Sequence, residues 1–255
     1  MLRDHLVQEQ GFLLVFMIEV KFNTTFQGLK ETAPIQPAMT FMPEWFKKMP
    51  AQYMKKIITP DIGKGAPLSS TRLCPGLVEY FKKGFIVPLW SDLLIDVSRK
   101  GKEVKWFWKF ADDEYKLDVH SPEQFLNYVP GHAQKTIHMV FKVISPWTVQ
   151  LPKGYSMYQL PVYYQFDPNF HVLPGIFPGD TYSELHSQLC VTTLDQFIIK
   201  RGTPIAHYVP FKREDFKHKI LYNDKEMNDF HAISGRKVNS NFKKRWRSAQ
   251  KIPNF

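Results

Sequence analysis

The chain has 255 residues, of which 44% are hydrophobic and 15% are Phe, Tyr or Trp, with a formal net charge of +10. That length allows one large domain with extensions, and that apolar content excludes disorder throughout. The nineteen prolines and thirteen glycines, scattered along the sequence, favour many short strands over a helix bundle.

The charge is unevenly placed. Residues 212–255 carry 12 Lys/Arg against 5 Asp/Glu, while the first 211 residues are nearly balanced. A basic tail of this kind either contacts nucleic acid, an acidic protein or an anionic surface, or is a solvated tail that keeps the protein soluble. The two cysteines, Cys74 and Cys190, form no metal-ligand spacing and read as reduced, packed thiols, which fits a reducing compartment.

At the N-terminus, Phe12 to Ile18 is apolar but too short to span a bilayer. Asp4 and Glu9 spoil the basic start that a signal peptide needs, and no small-residue cleavage site follows. Met17 opens Met-Ile-Glu-Val-Lys-Phe, a first-strand pattern, so translation is expected to start there, with residues 1–16 as upstream readthrough. Residues 17–71 form an N-terminal arm and linker. Within them, Pro43 opens a short helix that sets Trp45, Phe46 and Met49 at one-to-four spacing, and Thr59 to Thr71 is turn-rich.

From Arg72 the pattern becomes compact. Cys74-Pro-Gly-Leu-Val-Glu-Tyr-Phe-Lys-Lys predicts a short helix closed by Gly84. Phe85–Trp90 and Leu93–Val97 are strands around a turn at Ser91-Asp92. After a turn at Lys100-Gly101, Val104, Trp106, Trp108 and Phe110 recur on two-residue spacing, which predicts a strand with that face buried. Ile137–Ile144 alternates in the same way. Strand segments follow at Trp147–Gln150, Tyr155–Leu160, Leu185–Val191, Phe197–Ile199 and Ile205–Val209. The acidic run Asp112-Asp113-Glu114 between strands reads as a solvated turn. Residues 72–211 therefore read as one barrel or sandwich, and 212–255 as a basic extension with a helix or two.

Several short motifs carry a resemblance. Cys74-Pro-Gly, Gly84-Phe-Ile-Val-Pro-Leu-Trp-Ser-Asp, Ser145-Pro-Trp, Pro152-Lys-Gly-Tyr and Gly202-Thr-Pro-Ile-Ala resemble a set of uncharacterised proteins of tailed bacteriophages and some bacteria. The order Pro152-Lys-Gly-Tyr155, Gly175-Ile-Phe-Pro178, Lys200-Arg-Gly-Thr-Pro-Ile-Ala-His207 more distantly resembles the dUTPase and dCTP deaminase β-clip barrel. That resemblance implies a mainly β, dUTPase-like barrel or sandwich with short helices. The polar residues of the family's chemistry are missing. Its catalytic Asp falls at Pro178, its phosphate-holding Arg-Ser-Gly segment at Pro161-Val-Tyr-Tyr, and its Gly-rich C-terminal arm is absent.

The expected function is therefore non-enzymatic: a phage-type structural or interaction protein of the host cytoplasm or virion, with a protein partner or self-association. The alternative is a nucleotide-binding domain that uses the 175–182 hairpin, with Gly175 in the pocket wall, Asp180 accepting a hydrogen bond and Tyr182 stacking on a sugar or base. Each also reads as part of a strand-connecting turn. In the tail, Phe242, Lys243, Lys244, Arg245, Trp246 and Arg247 interleave aromatics with cations. That pattern suits nucleic-acid binding, a helical docking peptide, or pinning of the tail on its own barrel. The nine histidines show no His-x-His or His-Glu-x-x-His spacing, so no metal site and no cofactor is expected.

Overall fold

The structure, a computed structural model, describes residues 18–54, 67–101 and 103–231. The upstream-readthrough expectation for 1–16 and the tail motif at 242–247 lie outside them. In chain order the elements are β1 (Lys21–Asn23), α1 (Leu29–Thr32), β2 (Gln36–Pro37), α2 (Glu44–Lys48), β3 (Gln52–Met54), β4 (Pro67–Ser69) and α3 (Pro75–Lys82). Then come β5 (Phe85–Pro88), β6 (Leu93–Lys100), β7 (Glu103–Phe110), β8 (Leu117–His120), α4 (Gly131–Gln134), β9 (Met139–Gln150) and β10 (Tyr155–Leu160). The last are β11 (Phe170–Val172), β12 (Gly175–Phe177), β13 (Glu184–Val191), β14 (Phe197–Ile199) and β15 (Pro204–Lys212). Residues 225–231 are helical. The chain is mainly β, with short helices.

All strand pairs are antiparallel, in three sheets and a ribbon. One sheet runs β1-β9-β13-β11, with β8 also on β9. A second runs β12-β10-β15-β5-β2, a third β14-β6-β7, and β3 pairs β4. The three sheets enclose one apolar core. The first contributes Phe141, Val143, Leu185 and Leu189, the second Val87, Met157, Ala206 and Tyr208, and the third Leu93, Ile95 and Val97. Period-two burial along β6 and β13 puts these residues inward and their neighbours outward. A smaller cluster of Met42, Phe46 and Phe81 packs α2 and α3 together.

Three expectations need correction. Ile137–Ile144 and Trp147–Gln150 are one strand, β9. Between the pairs Glu184–Thr148 and His186–Ile144, residues 145–147 bulge opposite Leu185 alone. Pro146 has no N–H to give a ladder, and a bulge is where a strand tolerates it. Second, the strands on either side of Ser91-Asp92 diverge: β5 joins β15 while β6 joins β14 and β7. Third, the face of Val104, Trp106, Trp108 and Phe110 is buried only at Phe110, and Trp106 stands exposed because β7 is a sheet edge.

Gly84 is fixed by close approach. Its φ is 77°, and a Cβ there would lie 2.1 Å from the Tyr208 carbonyl oxygen, where β5 crosses β15. Gly101, at φ 65°, has open space around it. Gly84→Ala is expected to cost more than about 3 kcal/mol, strain plus a backbone clash, and Gly101→Ala about 1 kcal/mol of strain alone. Denaturant midpoints of the two variants check this; equal losses would contradict it.

Candidate functional site

The hairpin expected at 175–182 is not formed: β12 pairs with β10 while β13 pairs with β9 and β11, so 175–182 connects two sheets and is held from both ends. β12 pairs with β10, which sets Gly175 opposite Gln159 and Ile176 opposite Tyr158. The chain then turns at Pro178, whose carbonyl accepts from the N–H groups of Thr181 and Tyr182. Gly179 is packed so close to Leu151 that a Cβ would come within 2.8 Å of it.

Asp180 closes the arrangement. Its carboxylate accepts the Gly154 N–H at 2.9 Å and both guanidinium nitrogens of Arg213, one at 2.9 Å. Arg213 also donates to Ser156 at 3.2 Å, and its own N–H donates to the Gly154 carbonyl at 2.8 Å. The Arg213 guanidinium, followed by the Gly154 amide, holds the Asp180 carboxyl below its ordinary range. Both carboxylate oxygens are thus engaged in tying the Pro152–Tyr155 turn and the end of β15 to the turn at Pro178–Tyr182. Tyr182 is half exposed, donates its hydroxyl to Glu184 at 3.0 Å, and meets Phe177 and His186 at its ring.

The Pro161–Gln165 turn, where the phosphate-holding segment of the resembled barrel falls, is roofed by the N-terminal helices. Tyr80 of α3 donates to the Pro161 carbonyl at 3.1 Å, and Trp45 of α2 donates to the Tyr164 carbonyl at 2.9 Å. Gln165 donates back to the Phe41 carbonyl at 2.8 Å. Beneath the roof, Tyr80, Tyr164 and His207 border a cavity of about 10 Å³, room for a single water. His207 is buried, with Nε2 2.6 Å from the Lys83 carbonyl, and burial lowers its pKa. Burial likewise pushes the Tyr80 phenol up to about 12.

A polar cluster joins two sheets inside the core. Tyr208 of β15 donates to Gln159 Oε1 of β10 at 2.7 Å, and Ser187 of β13 lies 3.4 Å from the same phenol. Gln159 in turn donates to the Leu173 carbonyl at 3.1 Å. At the far end of β15, the motifs Trp90-Ser-Asp and Lys200-Arg-Gly-Thr meet. Asp92 accepts from Lys200 Nζ and the Arg201 N–H, both at 2.8 Å, which lowers its pKa, and Gly202 donates to the Leu89 carbonyl at 2.7 Å.

Of the residues singled out in the sequence, the fold therefore keeps Gly175, Asp180 and Tyr182 on one connecting segment rather than a hairpin, with Asp180 turned to Arg213. Phe242 to Arg247 lie outside the described residues. Arg213, Gln159 and His207 were not singled out as partners, because nothing in their spacing points to residues 33 or more positions away. Among the described residues no group of three or more His, Cys, Asp or Glu side chains could hold a metal ion.

No family model matches the chain, and no curated protein matches it. Among solved structures, it is similar to a native dUTPase of EIAV, with TM-score 0.32 and 10% identity over 56% of this chain and 86% of that one. It is also similar to a mutant dUTPase from phage phi11 of S. aureus, with TM-score 0.30 and 8% identity over 56% of this chain and 85% of that one. Likeness at this level lends the chain neither an activity nor a ligand.

The Asp180 clamp has a pH signature. A carboxyl whose folded pKa is depressed stabilises the fold fully above its ordinary value of 3.8, and that contribution is lost as pH falls through the folded value. Asp180→Asn is expected to lower the denaturant midpoint at pH 7, with the gap to wild type closing below pH 3.8. A gap that stays constant with pH would show that the ion pair contributes nothing.

Proposed function

We propose that the chain is a non-enzymatic structural or interaction protein, of the kind its motifs resemble in tailed bacteriophages, with the barrel as scaffold and the extensions as contacts. The observation that carries this reading is the segment after β15. From 213 to 231 the residues are exposed apart from the half-buried Asp224, and Phe216, Ile220 and Tyr222 are 88%, 89% and 98% exposed. Large apolar side chains held in water along one segment mark a surface that a partner covers. The roofed Pro161–Gln165 turn and the engaged Asp180 agree with a body that spends its polar groups on its own fold. Among the described residues no helix is long and apolar enough to cross a membrane.

Thermal melting against a panel of nucleoside mono-, di- and triphosphates tests the reading. A ligand at about 100 times its Kd would raise the melting temperature by roughly 5–10 °C in a chain of this size. The expected result is a flat panel. The triple variant Phe216→Ser, Ile220→Ser, Tyr222→Ser is expected to melt within about 2 °C of wild type, as exposed substitutions do. A selective rise with one base would instead make the 175–182 segment a nucleotide site, and a large drop in the triple variant would mean that the segment after β15 packs on its own barrel.

A further inference from the structure

The strand β7 lies at the end of its sheet. Among the described residues β7 pairs only with β6, and its other edge carries no strand. The main-chain direction along that edge follows from one bond. Ala111, just past the strand, donates its N–H to the Asp92 carbonyl at 2.8 Å, in line with the β6–β7 ladder. Antiparallel strands alternate strictly, so odd-numbered residues of β7 direct their N–H and C=O to β6. Val104, Trp106, Trp108 and Phe110 direct theirs outward.

The same four residues carry the side chains of the core-facing side, opposite Arg99, Val97, Ile95 and Leu93. Ile95, Val97 and Leu93 are fully buried, yet Trp106 is 43% exposed, and Phe107 on the other face is 54% exposed. An eight-residue edge with unpaired main-chain groups and two uncovered aromatics is a template for another strand.

The charges on β7 select the occupant. An antiparallel self-pair must place outward residues opposite outward residues, which leaves few registers. Centring on Lys105 sets Lys105 against its own copy, and centring on Phe107 sets Lys105 against Lys109, so like charges oppose one another in both. Centring on Val104 pairs Glu103 with Lys105 but engages only the start of the strand. Centring on Trp108 sets Lys109 against Phe107 and leaves Glu103 without a cation. Centring on Trp106 sets Glu103 opposite Lys109 of the second copy and Lys109 opposite its Glu103. In that register Val104 faces Trp108, Trp106 faces Trp106, and Lys105 lies against Phe107, an arrangement that suits a cation–π contact. The three outward pairs would form roughly six interchain hydrogen bonds.

We propose that two copies of this chain associate through β7 in this register, a two-fold, isologous strand pair that joins their three-stranded sheets and covers Trp106. The occupant is a second copy because in this register Glu103 and Lys109 pair at both ends of the strand and no like charges face each other.

Sedimentation velocity on the full chain, over a concentration series, tests this with three variants. Glu103→Lys and Lys109→Glu each place like charges at both ends of the pair and are expected to weaken the dimer about tenfold or more. Mixed together, the two variants restore opposite charges at both ends, so the mixture is expected to dimerise at the concentration where each alone does not. Trp106→Ala is expected to weaken the dimer as well. The restored mixture also shows that the charge variants are folded. A wild-type chain that sediments as a single copy, as it would with any other occupant of the edge, overturns the proposal. So does an assembly whose size is the same in the wild type, the single charge variants and their mixture.

Discussion

A phenol sealed between two sheets sets the terms for the rest of the molecule. Tyr208 is fully buried, and burial raises its pKa, so it stays a neutral donor. Its proton goes to Gln159 at 2.7 Å in preference to the His186 carbonyl at 3.4 Å. A polar group with no water around it must find its partner inside the protein or forfeit the solvation it lost. The bond fixes Tyr208 to its cross-strand partner Gln159 within one sheet, and the Ser187 hydroxyl of β13, 3.4 Å from the same phenol, carries the contact to the facing sheet. Gly84 lets β5 lie against the main chain of the same residue from the other side.

The distribution of polar groups follows from that arrangement. Gln159, Ser187, Asp180, Arg213 and Asp92 each meet other parts of the chain and hold its turns and sheets together. Helices α2 and α3 spend Trp45 and Tyr80 on the turn at 161–165. Several large apolar side chains also face water: Tyr158 stacked on Phe211 beside Ile176, the aromatic edge of β7, and those between Phe216 and Phe230.

Local pattern carried a good part of this architecture. Tyr155–Leu160 and Phe197–Ile199 are strands at the bounds their sequence predicts, because apolar residues bounded by turns mark them. Pro43 starts α2, and Gly84 follows α3, as helix-boundary chemistry predicts. Trp106 misled for an instructive reason: period-two patterning reports which way a side chain points, and only the sheet order shows whether anything covers it. Pro146 read as a break because a bulge is defined by the partner strand. β11 and β12 have three residues each, too few for a period to register. The site was less legible still. Asp180 was visible, but its partner Arg213 is 33 residues away, and Tyr208 and Gln159 sit 49 apart, so only the fold brings them together.

The central claim is that the buried polar cluster is a structural tie between sheets. Equilibrium unfolding of Tyr208→Phe in denaturant addresses it most directly, since the change removes one oxygen and takes the donor away from Gln159 Oε1 in the core. The account predicts a loss of about 1–3 kcal/mol with the slope on denaturant unchanged. A variant as stable as wild type would contradict it and return the cluster to the list of groups awaiting a function.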